Sequence, residues 1–211
     1  MTEQSDASVN RSASRRERAA LIQAAQAFIA EGRLEASVLE ITQAADVSMD
    51  SFPDHFDSKQ ALFDTALADA LDAHGALMDR LTESLDDPVE KFACSFRLTG
   101  RLFRQRPIEG LVLLVNGLKL VTADSGLAPR AARDIAQAVE AGRFHVGDAR
   151  LASAVAAGAL MGLQDELPRD DALAADQMTE NVLRVFGLSA EDARDICQRP
   201  LPDIDGLTRR D

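Results

Sequence analysis

The chain has 211 residues, 46% of them hydrophobic and 27% charged, and a formal net charge of −12. Its length suits one large domain or two small ones, and its acidity is unusual for a DNA binder, whose affinity comes chiefly from neutralising phosphates. No apolar run approaches the roughly 18 residues of a membrane span, and the first residues lack the apolar core of a secretory signal. Cys94, Cys197, His55, His74 and His145 show no metal-ligand spacing, so a cytoplasmic chain with reduced thiols, no metal and no cofactor is expected.

Residues 1–14 carry no apolar period and read as a disordered arm. Arg11, Arg15, Arg16 and Arg18 cluster around its end. They are either a solvated tail or an arm that touches phosphate or the minor groove. Residues 15–31 read as a helix, with Leu21, Ala24, Ala25, Phe28 and Ile29 in one stripe and Gly32 closing it.

The stretch from Ser37 to Leu62 organises the rest. Ser37 with Glu40 forms a capping box, and Val38, Ile41 and Ala45 fall on one helical face. Asp46-Val47-Ser48 breaks that helix, Ser48 caps a second one running toward Phe56, and Asp57-Ser58 caps a third from Lys59. Two short helices around a tight turn are the helix-turn-helix arrangement, whose second helix enters a DNA major groove. Pro53 lies within that second helix. Counted from a Ser48 cap, its missing N–H would have bonded to the Met49 carbonyl, so the helix is expected to be shortened, kinked or restarted near Pro53, with Phe52 displaced from helical geometry.

Lys59 to about Leu85 reads as one long helix of roughly 40 Å, shared between two bodies. Asp87-Pro88-Val89-Glu90 starts another, carrying Phe92, Phe96, Leu98, Leu102 and Phe103 and ending before Pro107. Residues 108–121 are almost all apolar and read as a buried helix. Helices are expected at 127–141, 148–166 and 172–186, with a break at 168–170, and a short one capped by Ser189. Residues 200–211 read as a loose tail.

Residues Ala24-Ala25, Phe28, Gly32, Ser37-Val38, Ile41, Ala44-Ala45, Val47-Ser48, His55-Phe56, Ser58-Lys59 and Leu62-Phe63 together resemble the N-terminal DNA-binding segment of the TetR/AcrR family of transcriptional regulators. The likeness spans roughly residues 18–65. It departs from the family pattern at Asp46 and Asp50, where Gly is usual or frequent, and at Pro53, where an aromatic is usual. It implies an all-α fold. A three-helix DNA-binding head (15–58) would join a larger ligand-binding and dimerisation body (59–199, with 59–85 shared).

By the same resemblance, the DNA-contact positions are Ser37, Thr42, Ser48, Met49, Asp50, Ser51, His55 and Lys59, to which the arm adds Arg15 and Arg16. Lys59 is read either as a phosphate contact at a helix N-terminus or as a solvated surface lysine. His55 is read either as a phosphate donor or as filling beside Phe56. A pocket in the body would be lined by Met78, Phe92, Cys94, Phe96, Phe103, Leu111 and Asn116, with plain core as the competing reading for each. The small residues of 148–166 and the apolar side of 172–186 suit a four-helix homodimer interface, which arginines at Ala156 and Met178 would break.

No nucleophile–base set, phosphate-cradling glycine loop or metal cluster appears, so no enzyme is expected. Two functions remain. One is a ligand-responsive repressor, a homodimer on a pseudo-palindromic operator released by a small hydrophobic effector. The other is a degenerate member of the fold that binds DNA poorly and acts through its pocket or a protein partner. Pro53 and the acidic recognition segment motivate the second.

Overall fold

The computed structural model describes residues 2–105, 126–164 and 171–202. Among these residues there are nine α-helices and no strand. They are α1 (Thr2–Ala30), α2 (Val38–Ala44), α3 (Phe52–His55), α4 (Lys59–Leu81), α5 (Pro88–Gln105), α6 (Leu127–Glu140), α7 (Ala149–Gln164), α8 (Asp171–Val185) and α9 (Ala190–Gln198). A 3-10 turn, Met49–Ser51, precedes α3. No helix among the described residues is long and apolar enough to cross a membrane. The expected helix at 108–121, the break at 168–170 and most of the loose tail lie outside the described residues.

The chain divides into two compact units, residues 1–70 and 71–211, with the boundary inside α4. The first unit thus takes the opening turns of α4, beyond the boundary expected at residue 58. Its core is the stripe read from the sequence. Leu21, Ala24, Ala25, Phe28 and Ile29 of α1 are buried, as are Ile41, Phe52, Phe56, Leu62 and Ala66.

Residues 2–14, expected to be a disordered arm, continue α1 as helix. They contain neither Pro nor Gly. Extending an existing helix adds one hydrogen bond per residue without a new nucleation step.

In the second unit, α5 is buried nearly all round and packs against α6, α7, α8 and α9. Asp87 caps it by accepting from the Val89 N–H at 3.0 Å, with Pro88 at the first helical position, where its missing N–H costs nothing. Met78, Leu81, Cys94 and Leu98 form one buried cluster. Phe92 anchors another, with ring centroids 5.9 Å from Phe96, 5.8 Å from Phe144 and 5.7 Å from Phe186. Gly100 lets the helices close up, because a Cβ there would sit 2.8 Å from Leu163 Cδ2 and 3.2 Å from Ala175 Cβ.

Helix α4 stops at Leu81, short of the expected Leu85. The Thr82 hydroxyl donates to the Met78 carbonyl at 2.9 Å, and the chain then tightens into i→i−3 bonds, Glu83 to Arg80 and Leu85 to Thr82. Such back-bonding by Thr competes with continued helix.

Candidate nucleic-acid interface and effector site

The helix-turn-helix is built by local capping. The Ser37 N–H donates to Glu40 Oε2 at 2.8 Å and the Glu40 N–H to Ser37 Oγ at 3.2 Å, a complete capping box. These bonds, the backbone one foremost, hold the Glu40 carboxyl below its usual pKa. Helix α2 ends in a Schellman motif, with the Asp46 N–H on Gln43 O and the Val47 N–H on Thr42 O. The motif needs a left-handed residue, and Asp46 supplies it at φ +54°. Asp tolerates this conformation better than most residues, so the turn survives without glycine.

Ser48 then caps the recognition segment, its Oγ accepting from the Asp50 N–H at 3.3 Å. The segment is not one continuous α-helix. A 3-10 turn over Met49–Ser51 passes into α3, and the Phe52 N–H bonds to Met49 O. Pro53 falls in the first turn of α3, where an N–H would be unsatisfied anyway. The restart near Pro53 is therefore present. The expected displacement of Phe52 is not, since it keeps helical angles of φ −55° and ψ −45°. The crowding by a proline ring is a preference that the first turn of a helix can absorb.

The predicted contact residues separate into exposed and committed groups. Thr42 is buried, at 1% exposure, and its hydroxyl donates to Leu39 O at 3.1 Å. Its place is in the core and not on the surface. The His55 side chain is 3% exposed and its Nε2 lies 2.9 Å from Glu17 Oε2, so the junction reading of His55 fits and the phosphate reading does not. Ser51 Oγ donates to Ser48 O at 2.9 Å. Ser37, Ser48, Met49 and Asp50 are exposed. Lys59 is partly exposed, with Nζ on Leu34 O at 3.3 Å and 4.0 Å from Glu35. Arg15 and Arg16 are exposed on α1, and the Arg18 guanidinium lies 4.9 Å from the Phe56 ring centroid.

The five described pocket candidates are all buried. Met78 and Cys94 belong to the cluster with Leu81 and Leu98. Phe92 and Phe96 belong to the aromatic cluster. Burial pushes the Cys94 thiol up to about 11 and the Cys197 thiol likewise, which suits structural rather than redox-sensing cysteines. Phe103 is different. Its ring stacks on His74 with centroids 5.4 Å apart, and His74 Nε2 lies 2.9 Å from Thr99 Oγ1. This is a polar pair beside an aromatic face. His74 escaped the sequence reading because nothing local marks it. Its position four residues before Met78, on the same helical face, was the available signal. Leu111 and Asn116 lie outside the described residues.

A capped helix-turn-helix in one unit and an all-helical body in the other define a DNA-binding regulator with a separate effector body. The model of the tetracycline repressor-like C-terminal domain matches residues 87–199. The crystal structure of RolR with its ligand resorcinol shares 31% identity over 92% of this chain and 99% of that one, with a TM-score of 0.72. RolR without ligand matches at 30% identity, over 88% of this chain and 99% of that one, with a TM-score of 0.71. AibR, in complex with isovaleryl coenzyme A and operator DNA, shares the fold at 17% identity over 81% of this chain and 98% of that one, with a TM-score of 0.50. No curated protein sequence matches significantly. The chain belongs to the TetR family and is a ligand-responsive, DNA-binding transcriptional regulator.

Proposed function

We propose that the chain is a cytoplasmic, homodimeric repressor that holds a pseudo-palindromic operator and leaves it when a small, mostly apolar effector enters the body. In this role it is a switch, and we assign it no catalytic activity. The observation that carries the reading is the recognition segment. It keeps its caps and its exposed outer face despite Pro53, which removes the main motive for a degenerate regulator. The homodimer reading is supported by Leu151 and Val155 on α7 and Leu173 and Val185 on α8, all exposed large hydrophobics in one protomer.

The effector class is a small phenol. RolR, the relative with a resorcinol complex, takes a dihydroxybenzene. Here Phe103 would face the ring, and His74 with Thr99 would orient a hydroxyl. Fluorescence anisotropy with a labelled duplex from upstream of the gene tests both halves. Specific binding is expected, and release on adding resorcinol, catechol or phenol, with Thr99→Val needing several-fold more ligand. A protein that binds no duplex specifically overturns the regulator reading. One that binds but ignores all three phenols overturns the effector class.

A further inference from the structure

We infer that the recognition segment reads its half-site through a carboxylate and a thioether, Asp50 on a cytosine amino group and Met49 on a neighbouring thymine methyl, with no arginine–guanine contact. The inference rests on the DNA-binding reading above and adds which base chemistry the head recognises.

The argument is one of elimination over a short surface. Between Ala36 and Ser58 the sequence has no Arg, Lys or Asn, so the bidentate partners that most often read guanine and adenine are missing from both helices of the motif except at Gln43. Of the remaining hydrogen-bonding side chains of the recognition segment, Asp50 and Asp54 are exposed and the other three are spoken for. Ser48 Oγ accepts from the Asp50 N–H, Ser51 Oγ donates to Ser48 O, and the His55 ring is buried against Glu17. Asp50 is exposed, and its carboxylate makes no hydrogen bond or ion pair with any described residue. Met49 beside it is a large apolar side chain left 49% exposed on the same segment.

A carboxylate offers acceptors only. In the major groove, acceptors meet the amino groups of cytosine or adenine, and Asp pairs with cytosine N4, while apolar side chains meet the thymine methyl. The repulsion of a carboxylate by nearby phosphates works against binding. Arg15 and Arg16 on the exposed side of α1 and Lys59 at the start of α4 supply compensating charge in the same unit. Affinity would thus come from outside the recognition segment and base choice from within it, the usual division between positioning and specifying contacts.

The test is selection from a randomised duplex library with the full-length protein, carried out for wild type, Asp50→Ala, Asp50→Asn, Asp54→Ala and Met49→Ala. Circular dichroism confirms that each variant is folded. The wild type is expected to select a half-site containing a cytosine next to a thymine. Asp50→Ala should lose the preference at that cytosine roughly tenfold while keeping the other positions. Asp50→Asn should move it toward adenine, and Met49→Ala should relax the adjacent thymine. As a direct check, 2-pyrimidinone, which lacks the amino group, is placed at the cytosine. It should weaken wild-type binding about tenfold and leave Asp50→Ala binding unchanged. If Asp50→Ala selects the same half-site with the same preferences, or if Asp54→Ala loses the cytosine instead, this inference is overturned while DNA binding stands. If the wild type enriches no sequence at all, the regulator reading fails and this inference fails with it.

Discussion

Pro53 and Asp46 both occupy positions where the TetR pattern has another residue, and the backbone accommodates each by a different means. Asp46 accepts a left-handed conformation, which its short polar side chain makes tolerable. Pro53 is tolerated because the 3-10 turn before it moves it from a helix interior to a first turn. In an interior, proline costs about 3 kcal/mol, and removing it would recover that. Pro53→Ala is therefore expected to change stability by less than about 1 kcal/mol, and in the destabilising direction, because the freer unfolded chain is the main thing that changes. Urea unfolding measures it. A gain near 3 kcal/mol would mean that the segment is a strained continuous helix after all.

Helices α4 and α6 are joined by a charged seam inside the second unit. Arg130 Nε donates to Asp79 Oδ2 at 2.9 Å, and its Nη1 donates to Asp72 Oδ1 at 2.7 Å and to Gly126 O at 2.8 Å. Arg133 Nη2 is shared between Asp79 and Asp134, each at 2.7 Å. Gly75 makes room for this, since a Cβ there would lie 2.8 Å from Arg130 Cδ. The hydrogen bond from Arg130, first, and its charge hold the Asp72 carboxyl below its usual value. Burial alone would raise Asp79, but the bonds from Arg133 and Arg130 outweigh it and the net shift is downward. Burial pushes Asp134 up despite Arg133.

Groups with lowered pKa contribute stability above their ordinary value near 3.8, and that contribution is lost as pH falls through the folded value. Arg130→Ala should cost about 1 kcal/mol at pH 7 through the Asp79 pairing, a modest figure because Asp79 is 36% exposed and screened. The gap from wild type should shrink below pH 4, as urea unfolding at both pH values would show. A gap that is unchanged at low pH would make the loss one of packing alone. Gly75→Ala should displace Arg130 and reproduce part of the same loss, whereas Gly100→Ala should act through overpacking against Leu163 and Ala175 with no pH dependence.

The two units divide the work of a regulator, and the proposed dimer seam lies entirely in the second. Its test has to use the right faces. Ala156, expected on the intermolecular side, is 3% exposed within one protomer, while Leu151, Val155, Gly158 and Gly162 make up the outward stripe of α7. An arginine at Ala156 would break the protomer's own core and report nothing about assembly. Val155→Arg with Leu173→Arg alters exposed positions only. The pair is expected to give a folded monomer by light scattering, with operator affinity reduced at least tenfold, because a monomer holds one half-site. A folded dimer that still binds the operator would place the interface elsewhere.

Much of this molecule was legible in short windows of sequence. The capping box at Ser37, the Ser48 and Ser58 caps, Pro88 and the stripe of α1 all express interactions three or four residues apart, and these assemble helices whatever surrounds them. The same locality made the restart at Pro53 readable. Long-range packing decided the rest, because burial and polar commitment depend on neighbours distant in sequence. His55 finds Glu17 across 38 residues, His74 finds Thr99 across 25, and Arg130 finds Asp79 across 51. The outward side of α7 likewise follows from where α5 and α6 lie against it, and not from the small residues that fill both its faces. No periodicity could show which polar groups remain free once those partners have been found, and in this head that remainder is what would read DNA.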